Sequence, residues 1–453
     1  MRLLEPLRER DFALLWAGLT VSLLGDGIYF VAVAFQAYAL KNEPSSLAVV
    51  ALSWSAGFLV AVLVAGVVSD RIPRRRVMMG ADVVRAAALL AIGLLSMGGA
   101  LELWMLVALV FIYGIGEAFF GPAFSALIPE ILPERLLVQA NALEHAMRPI
   151  SARVVGPAFG GLIVGLAGAG QGFVIDAGTF VVSFACLSAL RIVEIVPEPV
   201  AGAGRAVVRE LREGLAYVRS QSWLWGTLVA ASLSLLLFQG PMEVLIPYLF
   251  KNELGGGATA FGVFMAIQGV GWAAGSFWMG RRGMPDRPVR FMILWWGLGS
   301  LPFALVALVS ARWQLMALAF FFGVPFSVGM VIWATLMQSR VPRELRGRVN
   351  SLDWFVSIGL LPVSFALTAP VSQAVGIDAT FAIAGLGGGG VMLLLFALVP
   401  GLRERGEVVA EAGVGDGGGL HADHLDPLAA GEPGDGADHG QSVIPQRLDR
   451  PAP

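Results

Sequence analysis

Residues 45–76 read SSLAVVALSWSAGFLVAVLVAGVVSDRIPRRR. From Ser45 to Val68 the stretch carries no charge; within eight residues of its end stand an acid, Asp70, and four arginines, Arg71, Arg74, Arg75 and Arg76. A run of that length matches the roughly 20 apolar residues a helix needs to cross a hydrocarbon core of about 30 Å. In lipid every backbone N–H and C=O must be satisfied within the segment, so the run is a membrane-spanning helix and the arginines are its flank in water.

Runs of the same kind recur on both sides of it. The first half of the chain holds six, at about 12–40, 45–68, 77–97, 103–124, 140–166 and 172–190. The second half holds six more, at about 223–249, 258–279, 290–309, 313–338, 353–371 and 379–399. Composition agrees: 57% of residues are hydrophobic and 14% charged, with a mean hydropathy of +0.74, against about 45–50% and about 25% in soluble domains. That balance excludes an ordinary soluble fold, and the net charge of -2 excludes a polyanion-binding protein. Only Lys41 and Lys251 of the basic residues are not Arg, the mark of a GC-rich bacterial genome rather than of nucleic-acid binding. The single cysteine, Cys186, leaves no intrachain disulfide and no cysteine metal site. The first run follows Arg2, Arg8 and Arg10 but is far longer than the ~7–15 residues of a signal peptide core, so it is expected to stay as a helix.

The expected organisation is therefore an N-terminal six-helix bundle (1–190), a linker (191–222), a C-terminal six-helix bundle (223–402) and a disordered cytoplasmic tail (403–453) rich in Gly, Asp, Ala and Pro. Within the linker, RAVVRELREGLAYVRS has apolar residues at helical spacing and reads as an interfacial amphipathic helix. With both termini in the cytoplasm, 27 of the 31 Lys and Arg fall on the inner side, while the outer loops hold Lys41, Lys251 and Arg312 and Arg85 lies within a span. The halves echo each other. PERLLVQANAL (Pro133 to Leu143) and PRELRGRVNSL (Pro342 to Leu352) share Pro, Leu, Asn and Leu at one spacing, each after the fourth span of its half. Ile175-Asp176-Ala177 and Ile377-Asp378-Ala379 each open a last span, where the acids read as caps. Two parallel repeats predict rocking bundles with a site between them near the midplane.

The loop GVVSDRIPRRR (Gly66 to Arg76) resembles the signature of the major facilitator superfamily, Gly-x-x-x-Asp-Arg-x-Gly-Arg-Arg, with Pro73 in place of the second Gly. GPAFGG, with Gly156, Pro157, Gly160 and Gly161, resembles the core of the motif of that family's antiporters, although Leu143 and Ala152 stand where its earlier glycines fall. Together with Gly121 to Leu143 and RELREGLAYVRS, these segments are most similar to the branch of macrolide-type drug exporters and the enterobactin exporter, over residues 10 to about 400. The resemblance implies an all-α membrane protein of twelve helices in two pseudo-symmetric bundles, a transporter and not an enzyme, working by alternating access. It implies efflux of small lipophilic molecules of drug or siderophore type, coupled to protons. Uptake or facilitated transport on the same fold, or a transporter-like lipid-handling protein, are the other readings. No cofactor, metal or nucleic-acid partner is expected, and a monomer is a plausible assembly.

Charges inside spans carry most of the functional information, because each is costly in hydrocarbon and tends to face a cavity or a partner. Asp26 shares a helix face with Ser22, Tyr29 and Gln36; Glu117 lies in a stripe with Tyr113 and Phe120; Glu243 follows Gln239. Asp26, Glu117 and Glu243 are the candidate proton carriers, and the neighbours named are candidate cavity residues. Phe326, Met330, Trp333 and Met337 follow the spacing of one face of the tenth span, a Met and aromatic wall suited to varied apolar ligands, or to plain packing. Gly66, Asp70, Arg71, Arg74, Arg75, Asp82 and Arg85 are expected to form the cytoplasmic gate by charge-assisted contacts across it. GLGGGG in the last span formally contains a dinucleotide fingerprint but follows no strand, and reads as a packing surface. His421, Asp423, His424 and Asp426 have no scaffold on which to hold a metal.

Overall fold

The computed structural model describes residues 2–69, 72–191, 203–342 and 344–403. Asp70, Arg71 and the tail from 404 onward, with the readings made of them, lie outside the described residues. Those described belong to one unit, Met1–Glu407. Among them there is no strand, and twelve helices are long and apolar enough to cross a membrane. The first six are α1 (Arg10–Leu40), α2 (Pro44–Ser69), α3 (Arg74–Met97), α4 (Leu103–Ile131), α5 (Met147–Ala167) and α6 (Ala169–Ser188). The second six are α7 (Ser222–Asn252), α8 (Gly257–Arg282), α9 (Pro288–Leu308), α10 (Arg312–Arg340), α11 (Arg346–Val375) and α12 (Ile377–Leu398).

The halves are built alike. In the first, α1 packs on α5 and α6, α4 on α2 and α3, and α3 on α6. In the second, α7 packs on α11 and α12, α10 on α8 and α9, and α9 on α12. Where α5 turns into α6 and α11 into α12, Gly168 and Gly376 have φ of 92° and 89°, a left-handed step that lets one helix follow another after a single residue. Between the halves α5 meets α8 and α2 meets α11, two contacts that exchange under the same repeat.

The two ends of the bundle differ. One, the basic end, carries Arg74–Arg76, Arg281, Arg282 and Arg348. At the other, the halves are latched: Tyr38 Oη donates to the Val244 carbonyl, Lys251 Nζ to the Tyr38 carbonyl, and Asn42 Nδ2 to Asn252 Oδ1 at 2.6 Å. Thr259 Oγ1 donates to the Gly161 carbonyl at 3.1 Å. A Cβ on Gly161 would stand 2.9 Å from Gly262 Cα, so α5 and α8 cross there backbone to backbone.

Two boundaries change what the sequence suggested. Helix α4 runs on through Pro122 and Pro129 to Ile131, and α11 starts at Arg346, which puts Asp353 about two turns inside the span rather than at its first residue. The amphipathic helix Ala203–Ser220 docks on the second half as well: Tyr217 Oη donates to the Arg340 carbonyl at 3.1 Å, Glu213 pairs with Arg348, and Val218 is buried.

Candidate functional site

Near the middle of α1, Asp26 accepts a hydrogen bond of 2.8 Å from Tyr113 Oη on α4. One turn further along α4, Glu117 accepts one of 2.7 Å from Trp54 Nε1 on α2. Both carboxylates are half-buried, and the Tyr113 ring stacks on Tyr29 at 4.5 Å. Behind them, Arg85 on α3 pairs with Asp82 at 2.6 Å, the two side chains 3% and 0% exposed. The guanidinium lies between Phe120 and Phe180, 4.6 and 4.2 Å from the ring centroids. Arg85 Nε and Asp82 Oδ2 have no hydrogen-bond partner among the described residues. Asp26 and Glu117 are within electrostatic reach of this cation and of the exposed Arg148, which is paired with Glu144, and Asp176 on α6, which is wholly buried, is within reach of Arg85.

This arrangement corrects two expectations. Asp82 and Arg85 stand two to three turns inside α3, away from the loop bases, and belong to the interior cluster rather than to a gate at the basic end. Asp176 is no cap: it sits mid-helix in α6, where a Cβ on Gly25 would come within 3.0 Å of its Cγ, and its Oδ2 is unpartnered. Asp378 does stand in the first turn of α12. The loop bases that are described hold their own half together. Arg74 pairs with Glu130 at the end of α4, and Arg75 donates to the Leu187 and Ser188 carbonyls at 2.8 and 2.7 Å, satisfying the C-terminus of α6. Gly66 is not among the residues whose surroundings are described.

A second group lies where the halves meet. Pro157 has no N–H to give the carbonyl four residues back, that of Arg153. The turn widens into a π-helical segment, Ile150–Val155, closed by Gly156 N–H donating to the Ser151 carbonyl. Helix α7 repeats the device: Pro247 frees the carbonyl of Glu243, which lies in the π-helical segment Pro241–Leu245. Gln239 Nε2 donates to Glu243 Oε1. Arg153 reaches across to α8, its Cζ 4.3 Å from the centroid of Trp272, and Trp272 packs on Phe326 of α10 at 4.7 Å. The GPAFGG motif fixes this seam, since a Cβ on Gly156 would be 2.9 Å from Gly27 Cα and one on Gly160 2.8 Å from Ile28 Cα. Helix α5 is thereby clamped between α1 and α8.

The remaining candidates divide. Ser22 is buried with its hydroxyl on the Leu19 carbonyl at 3.0 Å. Gln36 accepts from Ser96 Oγ at 2.7 Å and borders a cleft with Phe35, Lys251 and Thr259 at the latched end, ten residues from Asp26. The tenth-span stripe is not one wall: Phe326 meets Trp272, Met330 is 39% exposed, and Trp333 and Met337 are in the core. Trp333 Nε1 donates to Asp353 at 2.9 Å. Sequence reasoning passed over Trp54, Arg153, Trp272 and Asp353. The signal for Arg153 in the sequence is an Arg within the fifth run, four residues before an in-span proline.

Residues 2–407 match the profile of a family described as transmembrane secretion effector, within the major facilitator superfamily. The chain belongs to that family. It is 26% identical over 385 residues to macrolide efflux protein A of Streptococcus pyogenes, covering 83% of this chain and 92% of that protein. It is 29% identical over 412 residues to the multidrug efflux pump Tap of Mycolicibacterium fortuitum, covering 86% and 96%. Among solved structures, a POT family transporter crystallised with 5-aminolevulinic acid superposes with a TM-score of 0.68 at 11% identity, covering 88% of this chain and 96% of that one, a likeness of fold. The chain is thus a multi-pass membrane transporter and not an enzyme, and the first-half carboxylates and the seam group lie inside its helix bundle.

Proposed function

We propose that this transporter exports small lipophilic molecules in exchange for protons, with Asp26 and Glu117 as the groups that take and release them. The observation that carries the reading is the charge count of the first-half cluster. Asp26, Asp82, Glu117 and Asp176 share one buried cation, Arg85, which is already paired with Asp82. Uncompensated carboxylates inside a span are costly, so the cluster calls for protons or a cationic group of the substrate. Competition of the two for one acid is the simplest way for a single site to exchange them. The tyrosine and tryptophan that donate to Asp26 and Glu117 hold the acids in place without neutralising them.

Efflux is supported by the relatives, a macrolide efflux protein and a multidrug pump. The placement of Arg favours an orientation with the basic end and both termini in the cytoplasm. The latch of Tyr38, Asn42, Lys251 and Asn252 then closes the outer end. The family's loop, with Arg74 on Glu130 and Arg75 on the end of α6, would keep the first half rigid as it rocks.

The test is transport by the purified full chain in liposomes, with ethidium as the probe and an imposed pH gradient. Ethidium should accumulate against its own gradient only when protons flow the other way, and collapse of the pH gradient should stop it. Ethidium flux indifferent to the pH gradient would refute proton exchange. Reporter fusions after Arg219 and Arg403 should report cytoplasm and those after Asn42 and Asn252 the outside; the inverse pattern would refute this orientation.

A further inference from the structure

We infer that Arg153, held over Trp272 at the seam between the halves, is a recognition site for an acidic group on an aromatic amphiphilic substrate. The inference rests on the reading of the space between the halves as the substrate path, and it adds a chemical class to the cargo: molecules that carry one carboxylate, sulfonate or phosphate beside an apolar ring system.

Three independent observations meet there. The first is the guanidinium itself. Arg153 lies inside a membrane span yet makes no hydrogen bond or ion pair with any described residue; its only contact of that order is the face of Trp272. A cation kept in a span merely to support the fold would be paired, because leaving its donors empty is costly. Its side chain bridges α5 to α8 over the face of Trp272, which places it at the seam between the halves. The second is the backbone. The π-helical turn that carries Arg153 follows from Pro157, and the Arg153 carbonyl is pressed against α8, where a Cβ on Gly269 would lie 2.6 Å away. Such turns recur at ligand sites because they aim a side chain out of the regular helical register. The third is the aromatic bed: Trp272 packs on Phe326 at 4.7 Å, a surface on which a ring can lie next to the cation.

The chemistry selects the ligand. A guanidinium presents a planar fork of donors that fits a carboxylate or phosphate in two parallel hydrogen bonds, and its stacking on Trp272 holds that plane still. Glu243, in the matching π-helical turn of α7, is the acid that acts on Arg153 electrostatically, and it is bonded to Gln239. It disfavours dianions and can receive an amine, so a zwitterion meets both groups.

The experiment uses the full chain in detergent and two fluorescent probes, dansyl-phenylalanine and its uncharged amide, with binding read by energy transfer from tryptophan to dansyl. Wild type is expected to bind the carboxylate about tenfold more tightly than the amide, as a charge-assisted bond of this kind warrants. In Arg153→Gln the two probes should bind equally, and Arg153→Lys should keep only a few-fold preference, because an ammonium cannot form the fork. No preference in wild type, or a preference that survives Arg153→Gln, would overturn the inference. Were Arg153→Gln to misfold, the wild-type comparison and Arg153→Lys decide: an unchanged tenfold preference in the lysine variant sinks the fork. Ethidium pumping under a pH gradient separates this from the proposed exchange. Intact carboxylate preference without proton-driven pumping would defeat the exchange and leave the acid site standing; the opposite pattern would do the reverse.

Discussion

The two halves share a helix plan and differ in what they bury. The first gathers Asp26, Asp82, Arg85, Glu117 and Asp176 around a single ion pair. The second has Glu243 and Asp353 in its spans but carries nine of the twelve tryptophans, several packed on one another, as Trp278 is on Trp295 at 5.2 Å and Trp223 on Trp333 at 6.2 Å. Two copies of one repeat are under no physical obligation to keep equivalent interiors, since the packing pattern depends on small residues at helix crossings and not on what faces the space between. The difference suggests a division of labour, with proton handling on one side of the substrate path and an adaptable aromatic surface on the other, and Arg153 of the first half reaching over to the second.

The largest effect that would sharpen this contrast is a functional split between variants of the two halves. Asp26→Asn with Glu117→Gln keeps shape and hydrogen bonding but cannot carry a proton. It should abolish pH-gradient-driven ethidium flux and weaken ethidium binding while leaving some of it. Trp272→Leu should instead weaken probe binding about tenfold, the worth of a lost aromatic and cation contact, with flux still following the pH gradient. Loss of coupling in Trp272→Leu and normal coupling in the double variant would break the division.

Next in size is the seam. Gly161→Leu places a side chain where α8 already lies, 2.9 Å from Gly262 Cα, and overpacking of this kind costs about 1–3 kcal/mol. Thermal unfolding in detergent should shift down accordingly, and more than for Gly178→Leu, whose Cβ meets nothing within 4 Å. At the latched end, Tyr38→Phe removes the donor to the buried Val244 carbonyl, a loss of about 1 kcal/mol. A cysteine introduced at Asn42 should then label several-fold faster from outside. The smallest effect belongs to Trp333→Phe, which leaves Asp353 with Ser357 Oγ at 3.3 Å: about 1 kcal/mol of stability and no change in coupling.

The fold was legible because its signals are long. Twenty-residue apolar runs, Arg on alternate connections and a repeated PERLLVQANAL-like segment need no knowledge of contacts. The site was legible in part. Asp26, Glu117 and Glu243 stood out as charges in apolar runs, and Asp26 with Tyr113 and Tyr29 do come together. Arg85 and Asp82 were misplaced because four arginines follow Asp70 within six residues, and a basic flank hides where the helix truly starts; α3 begins at Arg74, so Asp82 is already inside. Asp176 was misread for the related reason that α6 starts seven residues before it. Trp54 and Asp353 could not be found by helical spacing, since each pairs with a residue on another helix. Arg153 needed the π-helical turn, which a regular 3.6-residue period does not predict.

The most direct measurement of the central claim is substrate-driven proton movement in liposomes that hold a pH-sensitive dye, without any imposed gradient. Addition of ethidium to wild type should change the internal pH, in the direction of proton exchange, at a rate that saturates with ethidium. The Asp26→Asn, Glu117→Gln variant, at equal reconstitution and with some ethidium binding left, should produce no such change. A well-folded double variant that moves protons with ethidium as wild type does would contradict the assignment of coupling to the carboxylates of the first half.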